Sequence, residues 1–360
     1  MHPYRNFPDR QFWNRSVSRI GWAEVFLDQP AKFKLSRSDR IASAGSCFAR
    51  RIAEELTSIG YDYELFESCH PLMESKASEY GYGVFSCRYG NIYSTRQLRQ
   101  LFEEALELRT PIFRSVRTGP DAFLDLMRPN IGDRAFSSVE EARLDRLHHL
   151  SRVREMIEQM QVFVFTLGLT ETWFDPAANV VYGSHPAVFQ DALPADVAQP
   201  LNLGYEDVID DFEFVLDLIG RHNRNPSVRV ILTVSPVALA ATHQDTHVLT
   251  ATSYSKAVLR AAAGKLAATH DNVDYFPSYE IFALSQSFGQ FLAEDLRDVN
   301  PRGVAVAMRV FEHMFLSPAE PGETPPRPSA READSDQALR QAPVDRECEE
   351  IANAFFERSS

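Results

Sequence analysis

Gly45-Ser46-Cys47, inside RIASAGSCFARRIAEELTSIG (residues 40–60), sets two nucleophilic side chains side by side where a short apolar run turns into a helix-like stretch. Phe48, Ile52, Ala53, Leu56 and Ile59 recur at helical spacing, and Gly60 ends the run. A serine at that corner sits at a helix N-terminus, where backbone N–H groups and the helix dipole can hold a developing oxyanion. The chemistry that fits is acyl transfer, with Ser46 as nucleophile. Cys47 is the alternative, since a helix start also stabilises a thiolate. Against it, consecutive residues at a turn point differently, and small cysteines are commonly buried.

The elements that must position this serine follow from the pattern downstream. QVFVFTLG (161–168), VRVILTVSP (228–236) and NVDYFPS (272–278) are apolar runs of strand length, like RIASAG (40–45). Between and after them lie helix-like stretches: SRVREMIEQM, YEDVIDDFEFVLDLIGRHN, SYSKAVLRAAAGKLAATH and PRGVAVAMRVFEHMFL. Apolar strands alternating with amphipathic helices predict an α/β doubly wound fold, a parallel sheet covered on both faces. Ligands in such folds bind beyond the carboxyl ends of the strands. Ser46, Thr170, Ser235 and Ser278 should therefore converge on one edge. Residues 61–160 are long and less regular, with a glycine-rich loop before a helix capped by Ser94 or Thr95. The glycines at 81, 83 and 90 match no dinucleotide fingerprint, and GxxxxGK[ST] does not occur. The expected layout is a domain over 1–316 with an irregular insertion at 61–160. A Pro-, Ala- and charge-rich stretch at 317–347 reads as a disordered tail, and 348–360 as a short terminal helix.

Composition bounds the partners. The net charge of −13 argues against a nucleic-acid surface, which needs basic stripes. The first residues carry no apolar run resembling a signal peptide, and no window approaches a membrane span. Cys47, Cys69, Cys87 and Cys348 show no CxxC spacing. The expectation is a cytoplasmic protein with reduced thiols, no cofactor and a small-molecule substrate. Its oligomeric state stays open.

AGSCFARRI, at the end of the first strand, resembles the GSCFA family, which is related to the SGNH/GDSL esterases. GNIYSTRQLRQL (90–101), FTLGLTETW (165–173), TVSPV (233–237), SYSKAVLRA (253–261) and DYFPSYEI (274–281) are similar to the family's later blocks, in the same order. The resemblance implies a flavodoxin-like three-layer sandwich with a mostly parallel sheet. It also implies a serine esterase or O-acyltransferase acting on an ester, with a carbohydrate or polysaccharide precursor as the substrate class. Ser46 then attacks the ester, with its own N–H as one oxyanion donor and Gly90 and Asn91 as further donors. The Gly168–Thr170 loop takes the place of the third block, without that block's asparagine. Asp295 matches the aspartate of a DxxH motif, but Asp298 stands where the histidine belongs. A carboxylate with a pKa of about 4 is a poor base toward a serine hydroxyl. The alternative class is therefore a catalytically silent binding protein.

A base must otherwise come from another histidine. His148, His149, His222, His270 and His313 fall on or at the ends of helices, where solvated or capping roles are expected. His243 and His247, in THQDTHVLTATSYSK (242–256), follow the third strand at the functional edge. His247 is the expected base, with His243 and His185 as alternatives. No metal is expected there, because His-x-x-x-His lacks a third defined ligand. Lys256 either binds an anionic group or solvates its helix. Trp173 and Tyr279 either stack on a sugar or pack in the core.

Overall fold

The computed structural model describes residues 2–21, 25–132, 135–189 and 196–317, but not the side chains of Cys47 and Phe48. All but the first residue of the stretch expected to be a tail, and the whole helix expected at 348–360, lie outside the described residues.

After a short α1 (Trp13–Ser16), the chain enters β1 (Ile41–Gly45) and α2 (Cys47–Ser58). Next come α3 (Thr95–Ala105), the hairpin of β2 (Ser115–Gly119) and β3 (Ala122–Asp125), and the long α4 (Val139–Gln159). β4 (Val162–Leu167) leads into β5 (Glu171–Asp175), β6 (Val180–Tyr182) and β7 (Gln199–Asn202). The last part runs through α5 (Tyr205–His222), β8 (Arg229–Val234), α6 (Val248–Thr269), β9 (Val273–Phe276), α7 (Ser278–Ala283) and α8 (Pro301–Phe315). The central sheet has the order β1-β4-β8-β9 with every pairing parallel, so all four carboxyl ends lie on one edge. The doubly wound, three-layer expectation holds. The separate antiparallel sheet β6-β5-β7 and the β2–β3 hairpin were not visible as strand patterns.

Continuous apolar strands are explained by burial on both faces. Phe163, Phe165 and Leu167 of β4 face a cluster with Phe102, Met156, Phe212 and Leu259, contributed by α3 to α6. Val162 and Val164 face the other side, among Ile52, Leu56, Phe282 and Phe311 from α2, α7 and α8. Alternation of side chains across a strand sends neighbours to opposite layers.

β1 lies at one end of this sheet, and the 61–160 region supplies the partners for its outer edge. The Ile41 N–H donates to Asp62 O (3.0 Å), and Ile41 O accepts from the Glu64 N–H (2.9 Å). Two residues on, the Ser43 N–H donates to Ser86 Oγ (3.0 Å), and the Tyr89 hydroxyl donates to Ser43 O. At the strand's end Gly45 O accepts from the Ile92 N–H (2.9 Å). An edge strand without these groups would leave buried backbone polar atoms unpaired. Closing the edge also brings Ile92, the residue after Gly90 and Asn91, onto the last residue of β1.

Beneath this region lies a buried charged network, and one of its members departs from expectation. His149 on α4 is fully buried rather than solvated or capping, with Nδ1 2.6 Å from Glu67 Oε2. Burial pushes the His149 pKa down to about 4. Burial also opposes the Glu67 charge, but His149 and Arg128 beside it hold its pKa at about 2. At neutral pH the pair is therefore a neutral imidazole donating to a carboxylate.

Two predictions follow from this packing. Gly45 has φ +131°, and a Cβ there would lie 2.4 Å from Thr166 O, inside the β1–β4 ladder. Gly83 also has positive φ (+79°) but meets nothing within 4 Å. Gly83→Ala should thus cost only backbone strain, about 1–2 kcal/mol. Gly45→Ala should cost markedly more or prevent folding, as read by urea denaturation; equal losses would contradict the close approach. The second prediction concerns acid. His149 binds its proton more weakly when folded than in the unfolded chain (pKa about 6.5), so stability is complete above that value and falls as pH drops toward 4. Glu67 acts in the same sense at lower pH, down to about 2. His149→Gln should flatten the loss between pH 6.5 and 4, worth roughly 3 kcal/mol.

Candidate functional site

Ser46 follows β1 directly and caps α2 with extended backbone angles, φ −83° and ψ 177°. Its N–H reaches Thr166 O at 3.4 Å, a long last rung of the β1–β4 ladder, and its carbonyl accepts from the Ala49 N–H at 2.9 Å. The side chain makes no capping bond. Ser46 is only 4 % exposed, and Oγ is buried without a hydrogen-bond partner. A buried hydroxyl left unpaired costs on the order of 1–3 kcal/mol, and such exceptions concentrate where a group is held for use. Thr166 Oγ1 and Thr170 Oγ1, nearby on β4 and the turn after it, are likewise buried and unpartnered. Cys47 opens α2, and its side chain lies outside the described residues, so the alternative nucleophile stays open.

The turn after β4 packs onto the serine. A Cβ on Gly168 would stand 3.4 Å from Ser46 Cβ and 2.9 Å from Tyr93 O, so only glycine allows this approach. The Gly168 and Leu169 N–H groups both donate to Tyr93 O, at 3.1 and 2.8 Å. The Thr170 N–H donates to Ser255 Oγ at 3.0 Å, and Lys256 Nζ donates to Gly168 O at 2.7 Å. Tyr93 is fixed in turn by the capping box of α3, in which Ser94 and Gln97 bond each other's backbone N–H groups. The turn expected to supply oxyanion donors therefore has its backbone N–H groups engaged with Tyr93 and Ser255. It packs as a wall against the serine. Lys256 is fully buried and does not solvate its helix.

Gly90 and Asn91 line a cavity of about 140 Å³, together with Arg50, Val84, Phe85 and Ile131. The next residue, Ile92, bonds Gly45 O, so this wall stands beside the strand end that carries the serine. Arg50 lies one turn after Ser46 on α2, with its Nε on Glu54 at 2.6 Å.

The expected base and acid, His247 and Asp295, both stand at the surface with local capping bonds. His247 is exposed and caps α6, with Nδ1 accepting from the Leu249 N–H at 3.1 Å. Asp295 is also exposed, and its Oδ1 accepts from the N–H groups of Arg297 and Asp298, both at 3.0 Å. Arg297 Nε donates to Ala238 O (3.2 Å), which ties that turn to the loop after β8. His185 caps a short 3₁₀ turn through Nδ1.

His243 has the more developed surroundings. Glu171, three residues after Gly168, accepts from Thr242 Oγ1 at Oε1 (2.6 Å) and from the His243 N–H at Oε2 (3.2 Å). His243 Nε2 lies 3.5 Å from Oε2 and is buried without a hydrogen-bond partner. Trp173 packs against His185 and His243, with ring centroids 4.6 and 5.7 Å away, while Tyr279 packs against the core. The sequence assigns Glu171 no site role, although it opens β5 directly after the Gly168–Thr170 turn. A carboxylate at the carboxyl end of a strand was the available signal. Among the described residues no group of three metal-ligating side chains is close enough to hold an ion. Nor is any described helix long and apolar enough to cross a membrane.

This geometry coincides with a family assignment. Residues 40–311 match the GSCFA family, and the chain belongs to it. No curated protein matches the chain.

The capping geometry makes His247 separable from catalysis. His247→Ala should lower stability by about 1 kcal/mol, and His247→Asn should restore it, because asparagine also caps. Loss of ester turnover in a fully stable His247→Asn protein would return the base role to His247.

Proposed function

We propose that the chain is an SGNH-like serine esterase or O-acyltransferase. The observation that carries this reading is the Ser46 hydroxyl, buried and unpartnered at a strand-to-helix corner. In this reading Oγ attacks the carbonyl carbon of an ester and its proton passes to an imidazole. The carbonyl oxygen takes the negative charge at the first turn of α2, whose N–H groups have no intrahelical acceptor. The tetrahedral intermediate expels the alcohol, which takes the proton, and leaves an acyl group on Ser46. Water or an acceptor hydroxyl then attacks that acyl group and regenerates the serine. Because Oγ is sealed from solvent, productive binding requires a local opening of its wall.

For the base, the surroundings favour His243 over His247. Glu171 can orient the His243 ring and stabilise the imidazolium, as the third group of a triad does. Asn91 remains the candidate side-chain donor to the oxyanion. A carbohydrate or polysaccharide ester is the substrate class suggested by analogy with SGNH relatives. A second reading, a silent binding protein, is favoured by Asp295, whose carboxylate caps a turn while Asp298 occupies the histidine position.

A serine-directed organophosphonate should label Ser46, and Ser46→Ala should abolish both labelling and turnover of p-nitrophenyl acetate. His243→Ala should slow turnover by roughly 10²–10⁴-fold, the usual worth of a positioned base. Absence of labelling and turnover across a broad ester panel would select the binding protein instead.

A further inference from the structure

We propose that Lys256 is a positioning residue of the serine site: it holds the Gly168–Thr170 turn from behind and sets a positive charge beside the serine. This rests on the ester-transfer reading above. Lysine is almost never fully buried unless its charge is compensated, because desolvating an ammonium is expensive. Lys256 is 0 % exposed, so its donors are held by partners, one of them Gly168 O at 2.7 Å. Gly168 is also the residue whose missing Cβ lets it approach Ser46. The preceding residue, Ser255, accepts from the Thr170 N–H. Adjacent positions on α6 therefore grip both ends of a single turn. Sheet pairing does not require this grip, since β4 ends at Leu167, where it pairs with Val234 of β8.

Holding a turn needs only a hydrogen bond, which a neutral side chain could provide. A charge adds something else. The backbone N–H groups of Gly168, Leu169 and Thr170 are engaged with Tyr93 O and Ser255 Oγ, so they do not face a developing oxyanion. When Ser46 Oγ bonds to an ester carbonyl, the carbonyl oxygen becomes a full anion in a water-poor place. There a nearby fixed cation acts far more strongly than in water.

The test compares the full-length wild type with Lys256→Gln, Lys256→Met and Lys256→Arg in Ser46-dependent hydrolysis of p-nitrophenyl acetate, with melting temperatures for each. Lys256→Gln keeps a donor for Gly168 O and removes the charge. It should lower kcat by roughly 10²-fold with KM within about threefold, because the charge acts on the transition state. Lys256→Arg should recover at least about tenfold of that loss. Should Lys256→Gln fail to fold, Lys256→Met, which removes both the charge and the bond to Gly168 O, is compared with Lys256→Arg, which keeps both. Unchanged kcat in a folded Gln or Met variant, with Ser46→Ala inactive, would overturn this role while leaving the serine reading standing. Parallel losses of kcat and melting temperature in Gln, Met and Arg alike would reduce Lys256 to a core strut. No Ser46-dependent turnover in the wild type would remove the serine reading, and this proposal with it.

Discussion

A single close approach of two backbones governs the architecture around the serine. At Gly45 the chain takes φ +131°, and the place of a side chain is filled by Thr166 O only 2.4 Å away. That contact lets β1 stay against β4 to its last residue and then turn at once into α2. Any side chain would push the strand off its neighbour, and the serine would leave the sheet edge. The same crowding recurs one layer out, where Gly168 presses on both Tyr93 and Ser46. Two glycines, rather than any polar bond, thus set where the hydroxyl stands.

Once placed, the hydroxyl is surrounded by groups that are mostly occupied with each other. Tyr93 O gathers two N–H groups, Ser255 takes a third, and Lys256 takes the Gly168 carbonyl. Ser278, on the same sheet edge, donates to Val234 O and meets Thr233 Oγ1. Bonding of this kind occupies the backbone of the turn and leaves a few hydroxyls unpaired, Ser46 among them. The Glu171–His243 pair is built on the continuation of the same wall, because β5 begins immediately after it. The 61–160 region acts from the other side, saturating the outer edge of β1 and anchoring itself through the buried Glu67–His149 pair.

Strands and the helix after Ser46 were legible because their signal is local. A strand buried on both faces must be mostly apolar, and the four runs ending near residues 45, 167, 234 and 276 are, with Arg229 and Asp274 their charged exceptions. The small sheet of β5 to β7 was not legible, since Glu171–Asp175 and Gln199–Asn202 are short, half-exposed and mixed in polarity. Ser46 and the edge it occupies could be read from the corner it stands on. His149 could not, because nothing in a helical run announces that Glu67, far away in the chain, will bury beside it. Lys256 was ambiguous for a related reason: its burial depends on a turn that α6 meets only in the folded sheet. His247 and His243 are four residues apart in one loop, and only tertiary contacts separate a helix cap from a ring held beside a carboxylate.

The central claim is that Ser46 carries the acyl group. Brief mixing of the full-length protein with p-nitrophenyl acetate, an acid quench and peptide mapping by mass spectrometry would locate the adduct. The account predicts an acetyl group on Ser46, linked as an oxyester that survives mild hydroxylamine. An acetyl group on Cys47, released by mild hydroxylamine as a thioester, would contradict it, as would the absence of any adduct under conditions of turnover.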